Sequence, residues 1–191
     1  MTGINPEFLL QAYQMGIFPM AMEDGEIGWF SPDPRGIIPL DRFHVSRSLE
    51  RVIRSGRFEV RINHAFGEIL DGCADREETW IDETVRESYM QLHARGNAHS
   101  VECWSHGELA GGLYGVAIGG AFFGESMFSR EANASKVALA YLSNYLLQRG
   151  FSLLDTQWTT PHLRRFGAID IPKAQYMEAL RRAIDSDVSF V

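Results

Sequence analysis

Three polar side chains stand where the sequence is otherwise apolar. Glu125 follows Phe122-Phe123-Gly124 in a run whose neighbours read as buried, and a buried carboxylate normally needs a cationic partner. Arg130 and Lys136, a few residues further on, are the internal candidates. Asp155 and Gln157 close the apolar run that begins at Phe151, and two positions apart on a strand their side chains share one face of the sheet. Such a pair can simply end a strand. A Gln amide is a poor proton acceptor, so any use of Gln157 is hydrogen bonding. Arg47, Arg51 and Arg54 fall at i, i+4 and i+7, which sets three guanidinium groups on one helix face, suited to phosphates or left to solvent. His44, His99 and His162 lack ligand spacing, and Cys73 and Cys103, 30 positions apart, read as buried thiols, so neither metal nor cofactor is expected.

The elements that position these groups fit a chain of 191 residues, long enough for a core domain with a small N-terminal extension. The expected division is 1–57, a small N-terminal subdomain with a Pro/Gly-rich loop and the basic helix, and 58–191, the catalytic domain. No run of about 18 apolar residues occurs, and Met1 to Phe8 lacks the basic start of a signal peptide, so a cytoplasmic protein without a membrane partner is expected. The net charge is −7, yet residues 42–61 carry six Arg against Glu50 and Glu59, a local balance of +4 that leaves −11 elsewhere. A nucleic-acid partner is thereby readmitted.

Asn5-Pro6 reads as an N-cap and first helical position, with Phe8, Leu9, Ala12 and Tyr13 inward and Gly16 as the stop. Prolines and glycines between Ile17 and Pro39 predict an ordered loop without regular structure. Helices are expected over Ser46–Arg54, from near Asn63 through Cys73, and after the cap Asp82 to Gly96. Strands follow at Ser100–Trp104, Leu109–Ile118 and Ala121–Phe128, an antiparallel meander. A helix over about Asn133–Gln148 then feeds a strand at Phe151–Asp155, and a last helix starts at Pro172.

Helices, a three-stranded meander, a long helix and a strand make a mixed α+β (α/β) pattern, that of the Gcn5-related N-acetyltransferase (GNAT) fold. Acyl-CoA-dependent members of that fold cradle the pyrophosphate on a Gly-rich, basic loop at the helix start. Residues 129–136 contain no glycine and include Glu131, which removes the main support for a coenzyme A-dependent N-acetyltransferase.

The stretches LLQAYQMGIFPM, WFSPDPRG, HVSRSL, DREETWI, AHSVECW, ELAGGLYGVAIGGAFFGESMFS, NASKVAL and LLDTQ, in this order, resemble the leucyl/phenylalanyl-tRNA–protein transferase family. The resemblance implies transfer of Leu, Phe and, to a lesser degree, Met from Leu-tRNA, Phe-tRNA or Met-tRNA to the N-terminal Arg or Lys of acceptor proteins, marking them for degradation (the N-end rule), by a monomeric enzyme. The catalytic positions it points to are Asp155, Gln157 and Glu125, with Gln157 hydrogen-bonding the attacking amine, Asp155 as the supporting charge and Glu125 facing a substrate cation. Leu113, Met127, Leu139, Leu142, Leu146 and Leu154 match the family's amino-acid pocket. Trp80, Tyr89, Ser126 and Trp29 or Phe30 fall at the adenosine end, and Arg47, Arg51 and Arg54 would hold tRNA phosphates. An aminoacyl ester is already activated, and an α-amine of pKa near ~8 is substantially neutral at pH 7, so positioning outweighs a strong base. The competing readings are the coenzyme A-dependent acetyltransferase and a non-catalytic tRNA-binding module built on the arginine helix.

Overall fold

The computed structural model describes residues 3–76 and 79–191. Helix α1 (Pro6–Gln14) begins where the Asn5 side chain accepts the Phe8 amide, as its sequence predicts. Its buried stripe is Pro6, Leu9, Ala12 and Tyr13, whereas Phe8 is exposed and packs edge-on against Trp29 at 5.2 Å.

The segment read as irregular contains three strands, β1 (Phe18–Ala21), β2 (Ile27–Phe30) and β3 (Arg35–Ile37). β1 and β2 form an antiparallel hairpin with Pro19 opposite Trp29. The Pro19 nitrogen falls on the outer edge of β1, where among the described residues no further strand pairs and only the Ala21 N–H is used, by the Trp80 carbonyl, so a residue without an N–H is tolerated there. Gly25, at φ 81°, makes the turn between them.

Helix α2 (Arg47–Arg54), capped by Ser46, is followed by β4 (Glu59–Ile62), α3 (Phe66–Ala74) and α4 (Glu83–Ala94), the last capped by Asp82. The meander is β5 (Ala98–Ser105), β6 (Glu108–Ile118) and β7 (Ala121–Ser129). Then come α5 (Ala134–Gln148), β8 (Leu153–Gln157), α6 (Pro161–Arg164), β9 (Ile169–Ile171) and α7 (Lys173–Ile184). β4, α6 and β9 are too short to announce themselves by periodicity. Among the described residues no helix is long and apolar enough to cross a membrane.

The main sheet has seven strands in the order β4-β5-β6-β7-β8-β3-β9. All its pairs are antiparallel except β7 and β8, which run parallel across the α5 connection. This is the mixed α+β, acetyltransferase-like arrangement expected from the sequence. Leu9, Tyr13, Ile69, Leu70, Val85, Tyr89, Tyr176 and Leu180 bury one sheet face under α1, α3, α4 and α7. Leu49 and the inner stripe of α5 cover the other.

Two irregularities open the middle of the sheet. Between β6 and β7 the register slips, Tyr114 facing Ser126 while Gly115 faces Gly124, so Glu125 is the extra residue of a bulge. A Cβ on Gly115 would collide with the Phe123 carbonyl, so only glycine lets the strands close up beside that bulge. β7 and β8 pair only from Ala121 opposite Leu153 to Phe123 opposite Asp155. Beyond that point they part.

Candidate active site

The parting of β7 and β8 gathers the polar groups. Asp155 is fully buried and gripped by Arg35, whose Nε donates to Oδ1 at 3.0 Å and Nη2 to Oδ2 at 2.7 Å. The Tyr176 hydroxyl donates to Oδ2 at 2.7 Å and the Gln157 amide to Oδ1 at 2.8 Å. Arg35 uses its third arm on the Gly16 carbonyl at 2.8 Å, and its guanidinium lies 5.0 Å and 4.5 Å from the ring centres of Phe18 and Tyr176. Bidentate pairing and full hydrogen bonding are what allow such a pair to be buried.

Glu125 has no such compensation. Arg130 turns to the Leu109 carbonyl and Lys136 to Asn133 Oδ1, so neither internal candidate reaches it. Among the described residues no ion pair involves it. Its partners are neutral: Tyr13 Oη at 2.7 Å, Tyr89 Oη at 3.1 Å and Gln157 Nε2 at 3.1 Å. Desolvation raises its pKa to about 7, against the lowering effect of the two tyrosine hydrogen bonds. The tyrosine hydroxyls lie 2.5 Å from each other. An ionised Glu125 leaves two protons for these three oxygen contacts. A protonated one supplies the third and completes a ring from Glu125 to Tyr89, to Tyr13 and back.

Gln157 meets Glu125 because its backbone is left-handed, φ 58°, which breaks the alternation of the strand. The sequence places Asp155 and Gln157 on one face. In the structure Asp155 turns to Arg35 and Tyr176, and Gln157 turns to Glu125. Positive φ at a non-glycine residue is costly, and the bond from the Gln157 amide to Asp155 helps to hold it.

Glu125 and Gln157 lie in the walls of two cavities. The larger, about 240 Å³, is bounded by Leu113, Met127, Leu139, Leu142 and Leu154 on its apolar side and by Arg76, Ser126 and His162 on its polar side. The smaller, about 210 Å³, is walled by Phe18, Met20, Trp158 and Trp80, the last shared with the larger. Tyr114 and Thr156 line the larger cavity, and their hydroxyls, closed off from solvent, have no hydrogen-bond partner among the described residues.

Other expected positions fall differently. Leu146 is fully buried in the α5 core and is not in the cavity wall. Tyr89, also fully buried, offers no face to a base; its hydroxyl serves Glu125 instead. Phe30 packs on Phe18 and Trp158, and Trp29 on Phe8, so neither borders the larger cavity. Trp80 and Ser126 do. Arg47, Arg51 and Arg54 are exposed along α2, with Arg54 facing Glu50 at 3.9 Å. Glu77 and Glu78 of the DREETWI stretch lie outside the described residues.

Sequence reasoning did not single out Arg35, Tyr13, Tyr176 or Arg76. Arg35 sits in the SPDPR stretch, and an arginine amid prolines and aromatics was its one signal. Arg76 donates to Ser126 Oγ and the Met127 carbonyl, bracing the cavity rim. At the start of α5, Ser129 Oγ accepts the Ser135 amide at 2.9 Å and Glu131 pairs with Arg57 at 2.6 Å. That occupies a helix end where a diphosphate would need free donors.

Acetyltransferase-like strand order and a bulged, near-neutral carboxylate where two parallel strands part mark an acyl-transfer class of enzyme. Residues 37–181 match the family described as leucyl/phenylalanyl-tRNA protein transferase, and residues 3–33 match its N-terminal domain. A leucyl/phenylalanyl-tRNA--protein transferase of Ruegeria pomeroyi is 52% identical over 190 residues, covering 98% of this chain and 90% of that protein. The chain belongs to the leucyl/phenylalanyl-tRNA protein transferase family and is an aminoacyltransferase. Among solved structures, L-PGS from Bacillus licheniformis is similar with a TM-score of 0.46 and 14% identity, over 85% of this chain and 56% of that one. A functionally unknown conserved protein from Staphylococcus epidermidis gives 0.45 and 9%, over 88% and 65%. Neither bears on the chemistry.

Proposed function

We propose that the protein transfers Leu, Phe and, to a lesser degree, Met from aminoacyl-tRNA to the N-terminal Arg or Lys of acceptor proteins, in the cytoplasm. The observation that carries this reading is Glu125, hydrogen-bonded to Gln157, standing in the shared wall of two cavities of unequal character. The larger takes the donor side chain: about 150 Å³ suffices for benzene, so 240 Å³ admits a phenyl ring. A pocket of this kind ranks apolar side chains only weakly, which fits acceptance of Met.

The smaller cavity takes the acceptor's first residue. Its walls are Phe18, Trp80 and Trp158 with Glu125 at one side, and aromatic faces beside a carboxylate suit a guanidinium or ammonium group. Gln157 hydrogen-bonds the attacking amine. The nitrogen attacks the ester carbonyl, the bond to the ribose oxygen breaks, and Glu125 takes the amine proton. The ribose oxygen leaves as a hydroxyl when a proton is returned to it. No covalent enzyme intermediate is needed. Asp155, neutralised by Arg35, serves as the anchor of Gln157. On this reading residues 1–57 act as a small subdomain supplying Tyr13 and Arg35 to the catalytic part, 58–191.

The test is a mass measurement on a peptide with N-terminal Arg, incubated with the protein and either Phe-tRNA or acetyl-CoA. Gain of one Phe supports the reading. Acetylation would replace it by a coenzyme A-dependent one, and retained tRNA binding without any mass change would leave only a binding module.

A further inference from the structure

His162 also lines a third concavity, of about 300 Å³, next to the larger cavity. It is bordered by Ser46 and Ser48 at the start of α2, Asn133 and Lys136 at the start of α5, and His162 and Arg165 around α6, and among the described residues no acidic side chain lines it. In a chain of net charge −7 this is a local gathering of cations. Lys136 meets only the neutral Asn133 Oδ1 at 3.1 Å, and among the described residues Arg165 makes no ion pair. Burial first, then the charges of Lys136 and Arg165, hold the His162 imidazole below its ordinary pKa. Three groups that oppose one another's charge are stabilised together by an anion.

The backbone of α5 is not what is on offer. The Ala134 amide is taken by the Glu131 carbonyl and the Ser135 amide by Ser129 Oγ. The side chains remain, with the exposed Arg47 and Arg51 continuing the positive track along α2. A strand whose last residue carries the aminoacyl group in the larger cavity would pass this concavity on its way out along that track.

We propose that the concavity between α2, α5 and α6 is a phosphodiester subsite, in which Lys136 and Arg165, with Ser48, hold the internucleotide phosphates nearest the aminoacyl end of the donor. The proposal rests on the aminoacyl-tRNA reading above. Lys136 and Arg165 contribute charge that the phosphate neutralises, so part of donor affinity is counterion release at this spot.

The experiment compares two minimal donors, phenylalanyl-adenosine, which has no phosphodiester, and the trinucleotide CCA carrying Phe. Both are given to the wild type and to Lys136→Ala/Arg165→Ala, whose folding is checked by its thermal melt. The expected result is that the wild type prefers the trinucleotide and that this preference, as a ratio of kcat/KM values, falls at least about tenfold in the variant. Binding of uncharged CCA weakens in parallel, and its slope of log affinity against log salt drops by about 1 to 1.5. Lys136→Arg/Arg165→Lys restores most of the affinity. An unchanged preference and slope, or an equal loss with both donors, overturns the subsite while leaving the parent reading intact. A wild type that transfers from neither donor nor from Phe-tRNA overturns the parent reading and the subsite with it.

Discussion

Asp155, fully buried, and Glu125, partly buried in the walls of two cavities, stand on neighbouring strands and are treated in opposite ways. Asp155 has a bidentate arginine, a tyrosine hydroxyl and a backbone amide, and all of its lone pairs point at donors. Glu125 has two tyrosines and an amide, with no cation among the described residues in contact. The first arrangement ties the carboxylate to two parts of the chain at every lone pair and so holds shape. The second leaves a carboxyl whose proton can come and go near neutral pH. A close match to a donor set is thus a sign of scaffolding, and an incomplete one a sign of chemistry.

The largest way to break the contrast is at Arg35. Arg35→Met strands a buried aspartate and should cost about 3 to 5 kcal/mol of stability, read as a lower urea midpoint. A loss under about 1 kcal/mol would mean that the pair is not structural. Glu125→Gln should leave the fold intact but slow transfer by about 100-fold or more, with tRNA affinity little changed. Its pH behaviour sharpens the comparison further. The folded carboxyl keeps its proton up to about 7 whereas the unfolded one loses it near 4.5, so the native state holds the extra proton between these values. Wild-type stability therefore declines as pH rises through that window, and Glu125→Gln removes the decline. Relative to wild type the variant should gain on the order of 2 kcal/mol between about pH 5 and about pH 8. A constant difference across that range would contradict the assignment.

Gln157→Ala deletes one hydrogen bond to Glu125 and should reduce the transfer rate roughly fivefold, in line with about 1 kcal/mol per bond. The smallest effect is expected from Tyr13→Phe. The Tyr13 hydrogen bond lowers the Glu125 pKa, so its loss should move the inflection of the rate profile to higher pH by a fraction of a unit, with little change in the plateau. An unmoved inflection would show that the Tyr13 hydroxyl does not act on Glu125.

The meander, the α5 connection and the parallel return strand were legible because each is long and strongly patterned, and the caps Asn5, Ser46 and Asp82 stand where their residue types predict. The hairpin of β1 and β2 was hidden by Pro19, since composition cannot say that a strand will lie at a free edge. Glu125, Asp155 and Gln157 could be picked out as polar residues in apolar runs. Their partners could not, because nothing in a single chain says which of many arginines meets which aspartate. The direction of Gln157 depends on one positive φ that alternation does not foresee. Tyr89 read as a stacking platform because an aromatic residue on a helix gives no sign of which end is used, ring or hydroxyl. Leu146 shares the periodicity of Leu139 and Leu142, and only the position of the cavity along α5 separates them.

Three residues of β3 lie between β8 and β9, so a segment made early in synthesis is stitched between two made late. Arg35 waits for a partner 120 positions downstream. Loop closure over that distance is entropically slow, and it must precede the contacts that reward it. The polar cluster around Arg35 and Asp155 is accordingly among the last parts of the molecule to form. A nascent chain that has not yet released β8 and β9 lacks both Asp155 and Gln157, so Arg35 and Glu125 are then without the partners that define their places in the finished molecule.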